Sequence, residues 1–210
     1  MKKLKKLLIP LICLCLLSAC NVFNTQCLSN EHDFQISEAY LPNLNSGDGR
    51  ITRTCTRCGA TKTVYLDSLQ TFVENMMAKR TAEIRQGLKD PDSIIIQAKA
   101  YIKKGTFYDK CKSQENLKDA YTQKMDFSIG VDFKYKAKNG FGGYEDFTTI
   151  WYEIKSTFSI GEYPSEAKYY CYEWNGSNNG SNSDYVYFFA FDEEDLKKAR
   201  PDMWNNYWKD

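Results

Sequence analysis

The stretch Phe127-Ser128-Ile129-Gly130-Val131-Asp132-Phe133-Lys134-Tyr135-Lys136 decides the fold class. Phe127, Ile129, Val131, Phe133 and Tyr135 alternate without a break against Ser128, Gly130, Asp132, Lys134 and Lys136. Successive strand side chains point to opposite faces, so this period of two reads as a β-strand with one buried face. Upstream the period changes. Leu69, Phe72, Val73, Met76, Met77, Arg80, Ile84 and Leu88 follow helical spacing, Asp67 with Gln70 resembles a capping box, and Asp90-Pro91 marks the stop. From Ser93 the pattern becomes a strand, with Ile94, Ile96, Ala98, Ala100 and Ile102 on one face. A short polar helix is expected over 113–121, and further strands over about 146–155, 167–174 and 185–191. The sum is an α+β chain: a small β ribbon, then one long amphipathic helix packed on an antiparallel sheet of about five strands.

Between the strands, Lys138-Asn139-Gly140-Phe141-Gly142-Gly143-Tyr144 reads as a turn. Asn139, Gly140, Gly142 and Gly143 offer positive-φ positions, while Phe141 and Tyr144 anchor the loop on the core. The alternative is a ligand-contacting loop over Asn139, Phe141 and Tyr144, in which the glycines allow close backbone approach and Tyr144 stacks on the ligand. The run from Asn175 to Ser183 reads as a flexible loop. Asp192 through Arg200 forms a short terminal helix with Pro201 after it. Met203, Trp204, Tyr207 and Trp208 then fit one side of a short helix docked on the sheet, with a partner-binding patch as the alternative.

The N-terminus carries an address. Four lysines in Met1-Lys2-Lys3-Leu4-Lys5-Lys6 precede an apolar run from Leu7 to Leu17, too short to span a bilayer and of the length of a signal-peptide core. Leu17-Ser18-Ala19-Cys20 follows and resembles the lipobox of bacterial lipoproteins. That resemblance implies removal of residues 1–19 and lipidation of Cys20. The mature chain is then expected at the extracytoplasmic face of the cell membrane, its acyl chains each stabilised by roughly 0.8 kcal/mol per buried CH₂. Loss of four lysines leaves 24 basic residues against 27 acidic ones, a formal charge of −3. No cationic excess remains to neutralise phosphates, so nucleic acid is not an expected partner.

Five cysteines remain beyond Cys20: Cys27, Cys55, Cys58, Cys111 and Cys171. In an exported chain an odd count leaves a thiol free or commits some to a metal. The only histidine, His32, lies near the first of them, so that Cys27, His32, Cys55 and Cys58 offer four tetrahedral zinc donors. The stretch Gly49-Arg50-Ile51-Thr52-Arg53-Thr54-Cys55-Thr56-Arg57-Cys58-Gly59-Ala60-Thr61-Lys62 resembles the second half of a small ribbon repeat of bacterial surface proteins. There a Cys/His pair precedes a glycine turn, a strand, a C-x-x-C-G knuckle and a returning strand. Here the first pair is spaced by four residues, wider than the usual one or two. A Cys55–Cys58 redox disulfide is the rival, disfavoured because the pair lies among β-branched residues rather than at a helix start. Cys111 and Cys171 either close a disulfide, worth roughly 3–5 kcal/mol for a loop this long, or stand as two buried thiols.

A second resemblance covers about residues 68 to 155. Leu88-Lys89-Asp90-Pro91-Asp92-Ser93, followed by Ala137-Lys138-Asn139-Gly140-Phe141-Gly142-Gly143-Tyr144, looks like an L-K-D-P-x-S and A-K-N-x-F-G-G-Y module of small exported bacterial proteins. It implies a fold and a location but no activity. With His32 committed to zinc, no histidine remains for a nucleophilic triad, and no phosphate-binding glycine motif opens a helix. The acidic residues from Asp192 to Asp195 suit a helix start and need no catalytic role. The expectation is a non-catalytic binding or interaction protein: signal at 1–19, anchor and zinc ribbon at 20–65, and an α+β domain at 66–210 that meets an envelope protein or cell-wall component. The competing class is an extracytoplasmic thiol-redox protein or other enzyme using Cys55 and Cys58.

Overall fold

The computed structural model describes residues 27, 31–44, 49–120, 122–160, 169–175 and 184–205; Cys20 with the signal segment, the loop over 176–183, and Tyr207 and Trp208 lie outside them. Among the described residues no helix is long and apolar enough to cross a membrane.

The chain is α+β, built on two antiparallel sheets. A three-stranded ribbon comprises β1 (Phe34–Tyr40), β2 (Arg50–Cys55) and β3 (Thr61–Tyr65) in that order. A five-stranded sheet comprises β4 (Ile95–Lys103), β5 (Lys124–Lys136), β6 (Thr148–Ser159), β7 (Tyr169–Asn175) and β8 (Tyr185–Phe191), in the spatial order β7-β6-β5-β4-β8. The decisive stretch is the middle strand. Ile129, Val131 and Phe133 are wholly buried, as are Ile96, Ala98, Ala100 and Ile102 of β4 beside them.

Helix α1 (Leu69–Gln86) covers this face through Leu69, Val73, Met76 and Met77. Its cap differs from the expected one. Ser68, extended in backbone, accepts the Thr71 N–H on its Oγ at 3.0 Å, while the Gln70 side chain turns along the helix to donate to Glu74. A hydroxyl two bonds from the backbone reaches the open N–H groups without strain, so Ser68 displaces the Asp67 and Gln70 pair. The helix ends at Gly87, and Asp90-Pro91 instead opens a 3₁₀ turn over Pro91–Ser93. Arg80 lies on the surface paired with Glu83, and the arginine that enters the core is Arg85.

Three other expectations shift. The polar helix falls earlier, as α2 (Thr106–Ser113), with a 3₁₀ turn at Lys118–Ala120 after it. Phe107 and Cys111 give α2 a buried side, while the segment after it buries Leu117 alone. The C-terminus forms α3 (Glu193–Ala199), capped reciprocally by Asp192 and Asp195, then α4 (Pro201–Asn205). Trp204 of α4 docks on α1 through Arg85 rather than on the sheet, because a buried guanidinium offers its ring a flat cationic partner.

The ribbon is joined to this body by a shared core. Ala39, Leu41 and Ile51 belong to the same apolar cluster as α1 and the large sheet. Leu117 N–H donates to the Ala39 carbonyl at 2.8 Å and Asn116 Oδ1 accepts from Ala39 N–H at 3.1 Å.

Candidate metal centre

Two antiparallel strands and a tight turn set the first two donors. Between β2 and β3 the chain reverses over Cys55-Thr56-Arg57-Cys58-Gly59-Ala60. Cys55 N–H donates to the Ala60 carbonyl at 2.8 Å, and Gly59 N–H to the Cys55 carbonyl at 2.9 Å. Gly59 takes φ +71°, a left-handed conformation in which its missing β-carbon avoids strain. The knuckle thus turns both sulfurs to one side. The other two donors arrive along the start of β1. Thr56 N–H donates to the Asp33 carbonyl at 3.0 Å and Thr56 Oγ1 to the Asp33 carboxylate at 2.8 Å, which lays His32 against the knuckle. Phe34 stacks obliquely on the imidazole at 5.1 Å.

The ligand atoms of Cys27, His32, Cys55 and Cys58 all lie within 4.8 Å of one another, a group able to hold a metal ion. Cys27 Sγ is 3.9 Å from Cys55 Sγ, and Cys58 Sγ is 3.4 Å from His32 Nδ1. With metal–sulfur bonds of about 2.3 Å and metal–nitrogen bonds of about 2.0 Å, a zinc tetrahedron has sulfur–sulfur edges of about 3.8 Å and sulfur–nitrogen edges of about 3.5 Å. These two separations match those edges and exceed the roughly 2.05 Å of a disulfide. The four-residue spacing between Cys27 and His32 is therefore no obstacle to convergence.

Electrostatics agree with a shared cation site. Burial pushes the Cys55 thiol up, yet the Cys58 and Arg57 N–H groups and the His32 ring outweigh it and bring it down to about 5. Cys27, hydrogen-bonded by Cys58 and close to Cys55, is pushed up to about 11. Three sulfurs packed together resist collecting charge unless a cation neutralises them.

The other expected sites separate. In the turn after β5, Asn139 Oδ1 accepts from Phe141 N–H at 3.0 Å and Gly143 N–H at 3.2 Å, and Asn139 N–H donates to the Gly143 carbonyl at 2.8 Å. Only Gly142 of this turn has positive φ, +82°. Phe141 is 99% exposed and does not anchor the loop; the Asn139 hydrogen bonds hold the turn instead. Tyr144, about half exposed, faces the Lys136 and Lys138 ammonium groups. Cys111 is a free, buried thiol on α2, and burial pushes it up to about 12. Cys171, the other half of the expected disulfide, lies on β7 with its backbone paired to Ile154 of β6, and its side chain lies outside those described.

Two features had no place in the sequence reading. Arg85, 1% exposed, donates to the Pro91 carbonyl at 3.2 Å, the Trp204 carbonyl at 2.8 Å and Asp92 Oδ1 at 2.7 Å. The second is a polar and aromatic cluster on the sheet face opposite α1. Glu153 Oε1 accepts from Ser128 Oγ at 3.0 Å and from Tyr185 OH at 2.9 Å, beneath Trp151 and Tyr101. Partial burial raises the Glu153 carboxyl, but hydrogen bonds from Lys155, Tyr185 and Ser128 outweigh it and hold it below the ordinary carboxylate range. Tyr185, partly buried beside that carboxylate, is pushed up to about 12. Gly130 was the available signal, since a glycine inside a clean alternating strand marks a close approach.

Comparison with protein-family models, characterised proteins and solved structures gives no match to this chain. The site's chemistry therefore rests on its own residues.

Proposed function

We propose that this chain is a lipid-anchored, extracytoplasmic binding protein of the bacterial envelope, without catalytic activity, whose N-terminal ribbon is held by a structural zinc ion. The observation that carries it is the convergence of Cys27, His32, Cys55 and Cys58 within 4.8 Å. Four protein donors fill a tetrahedron and leave no corner for water, which favours a structural over a catalytic ion. The segment Leu17-Ser18-Ala19-Cys20 supports the anchor and a position outside the cytosol. The rival reading, a Cys55/Cys58 redox couple, is disfavoured by their place on a strand-to-strand knuckle with a histidine against Cys58.

The test is mass and metal analysis of the protein extracted from cell membranes. The expected result is an N-terminal peptide beginning at an acylated Cys20, one equivalent of zinc per chain, and Cys55 and Cys58 protected from alkylation until a chelator is added. A metal-free protein with a reversible Cys55–Cys58 disulfide overturns the structural-zinc reading. Recovery with Met1 intact overturns the location.

A further inference from the structure

Phe141 stands at the tip of the turn between β5 and β6, and Tyr144 and Phe147 beside it are 48% and 37% exposed. Three large apolar side chains thus face solvent at one place. The tip is held in shape: besides the two N–H groups on the Asn139 side chain, the Asn139 carbonyl accepts the Gly142 N–H at 3.0 Å. A ring presented by a fixed turn loses little freedom on being covered, which lowers the cost of a contact. At the foot of the same turn, between the end of α1 and strands β5 and β6, lies a notch of about 210 Å³. Leu88, Tyr135 and Ala137 give it an apolar part. Its volume falls short of the roughly 300 Å³ at which small-molecule sites begin and suits a single aromatic side chain.

We infer that this surface is a contact between two copies of the chain, in which Phe141 of each copy enters the notch of the other about a twofold axis. Such a contact needs one patch that carries both halves of the fit. Knob and notch here belong to a single turn. Charge selects the occupant. Lys89, Lys136 and Lys138 line the notch together with Glu145 and Asp146, three cations against two anions, so a lipid surface or a polyanion meets repulsion as well as attraction. A second copy turned about the axis brings its acids to these lysines and its lysines to these acids. The lysines also suit an incoming ring, since Lys136 already lies 4.7 Å from the Phe147 ring and Lys138 5.7 Å from that of Tyr144. A patch of one turn and one notch lies at the small end of specific interfaces, under about 1,200 Å², where association is transient.

The test is sedimentation equilibrium of the full-length protein in a density-matched detergent up to about 1 mM, beside photo-crosslinking in cell membranes through benzoylphenylalanine placed at position 141. A reversible monomer–dimer equilibrium is expected, weakened about tenfold or more by Phe141→Ala, as for an aromatic anchor at the centre of an interface. The crosslinked dimer is expected to join position 141 to residues 87–89 or 135–139 of the second copy. Phe141 packs on nothing in its own chain, so its variant folds, and circular dichroism verifies this. Charge gives an independent arm. The pair Lys136→Glu with Lys138→Glu, and the pair Glu145→Lys with Asp146→Lys, are each expected to lose self-association, and an equal mixture of the two to regain it. A dimer unaltered by Phe141→Ala overturns the inference, as do crosslinks that reach only lipid or another protein. So does a chain that stays monomeric in detergent and gives no dimer crosslink in membranes; where the two disagree the crosslink decides, because detergent competes for the ring. Neither measurement reads zinc or acyl mass, so this contact and the envelope reading stand or fall separately.

Discussion

The indole of Trp151 lies directly over Gly130: a β-carbon built on that glycine comes within 2.1 Å of the ring. The two residues sit on adjacent strands of the large sheet, and the glycine leaves the space the indole takes between Tyr101, tilted against it, and Tyr185, edge-on to it. Gly130→Ala is therefore expected to displace the ring and destabilise the fold by about 1–3 kcal/mol, the usual cost of overpacking. Thermal unfolding measures it. An unchanged midpoint would show that the indole relaxes freely and that the contact is soft.

The same pair shows where the sequence was legible and where it was not. Strict alternation from Phe127 to Tyr135 gave the buried face, because that face meets α1 and every second residue is apolar. The alternation says nothing of the opposite face, where Ser128 and Gly130 are buried as well. What covers them comes from β6 and β8, and cross-strand register is invisible in a single period. The four residues able to hold a metal ion were legible because Cys and His are chemically narrow and the chain has a single histidine. The Ser68 cap was missed since Asp67 and Ser68 are both good caps, and only the helix's register against the sheet chooses between them.

Arg85 ties α1 to two neighbours, and its partners differ in what they lose. The Pro91 and Trp204 carbonyls depend on it for hydrogen bonds, whereas the Asp92 side chain is 82% exposed. Arg85→Met keeps the stem volume but strips the donors, and each carbonyl left buried costs about 1–3 kcal/mol. Asp92→Asn leaves both carbonyls paired and keeps an amide oxygen that can accept from the guanidinium, so it is expected to cost less than Arg85→Met even though the Arg85 charge is buried. Denaturant titration of the two variants discriminates; equal losses would mean that the ion pair, and not the carbonyl bonds, holds this corner.

Glu153 and Tyr185 give the fold opposite pH limbs. Glu153 is held below the ordinary carboxylate range in the folded chain. Its contribution is thus present above the unfolded pKa of about 4.3 and fades as pH falls through the lower folded value. Tyr185, pushed up to about 12, contributes fully below the unfolded pKa of about 10 and loses its effect as pH rises toward 12. Tyr185→Phe removes one donor from Glu153 and the ionisable phenol together. It is expected to move the acid limb to higher pH and flatten the loss of stability above pH of about 10. Unfolding midpoints across pH report both, and a variant with unaltered limbs would rule out the coupling.

Asn139 and Phe141, two residues apart in one turn, are expected to respond oppositely to truncation. The Asn139 side chain accepts two backbone N–H groups and closes the turn between β5 and β6, so Asn139→Ala leaves both donors to solvent. A cost of about 1 kcal/mol follows, the net worth of such hydrogen bonds in an exposed turn. Phe141 contributes no packing at 99% exposure. Phe141→Ala is therefore expected to leave the unfolding midpoint within about 0.5 kcal/mol of the parent, while removing an apolar surface that invites self-association. If Phe141→Ala instead lowers the midpoint as much as Asn139→Ala, the ring packs onto the chain in solution, and the turn is held by burial rather than by the asparagine.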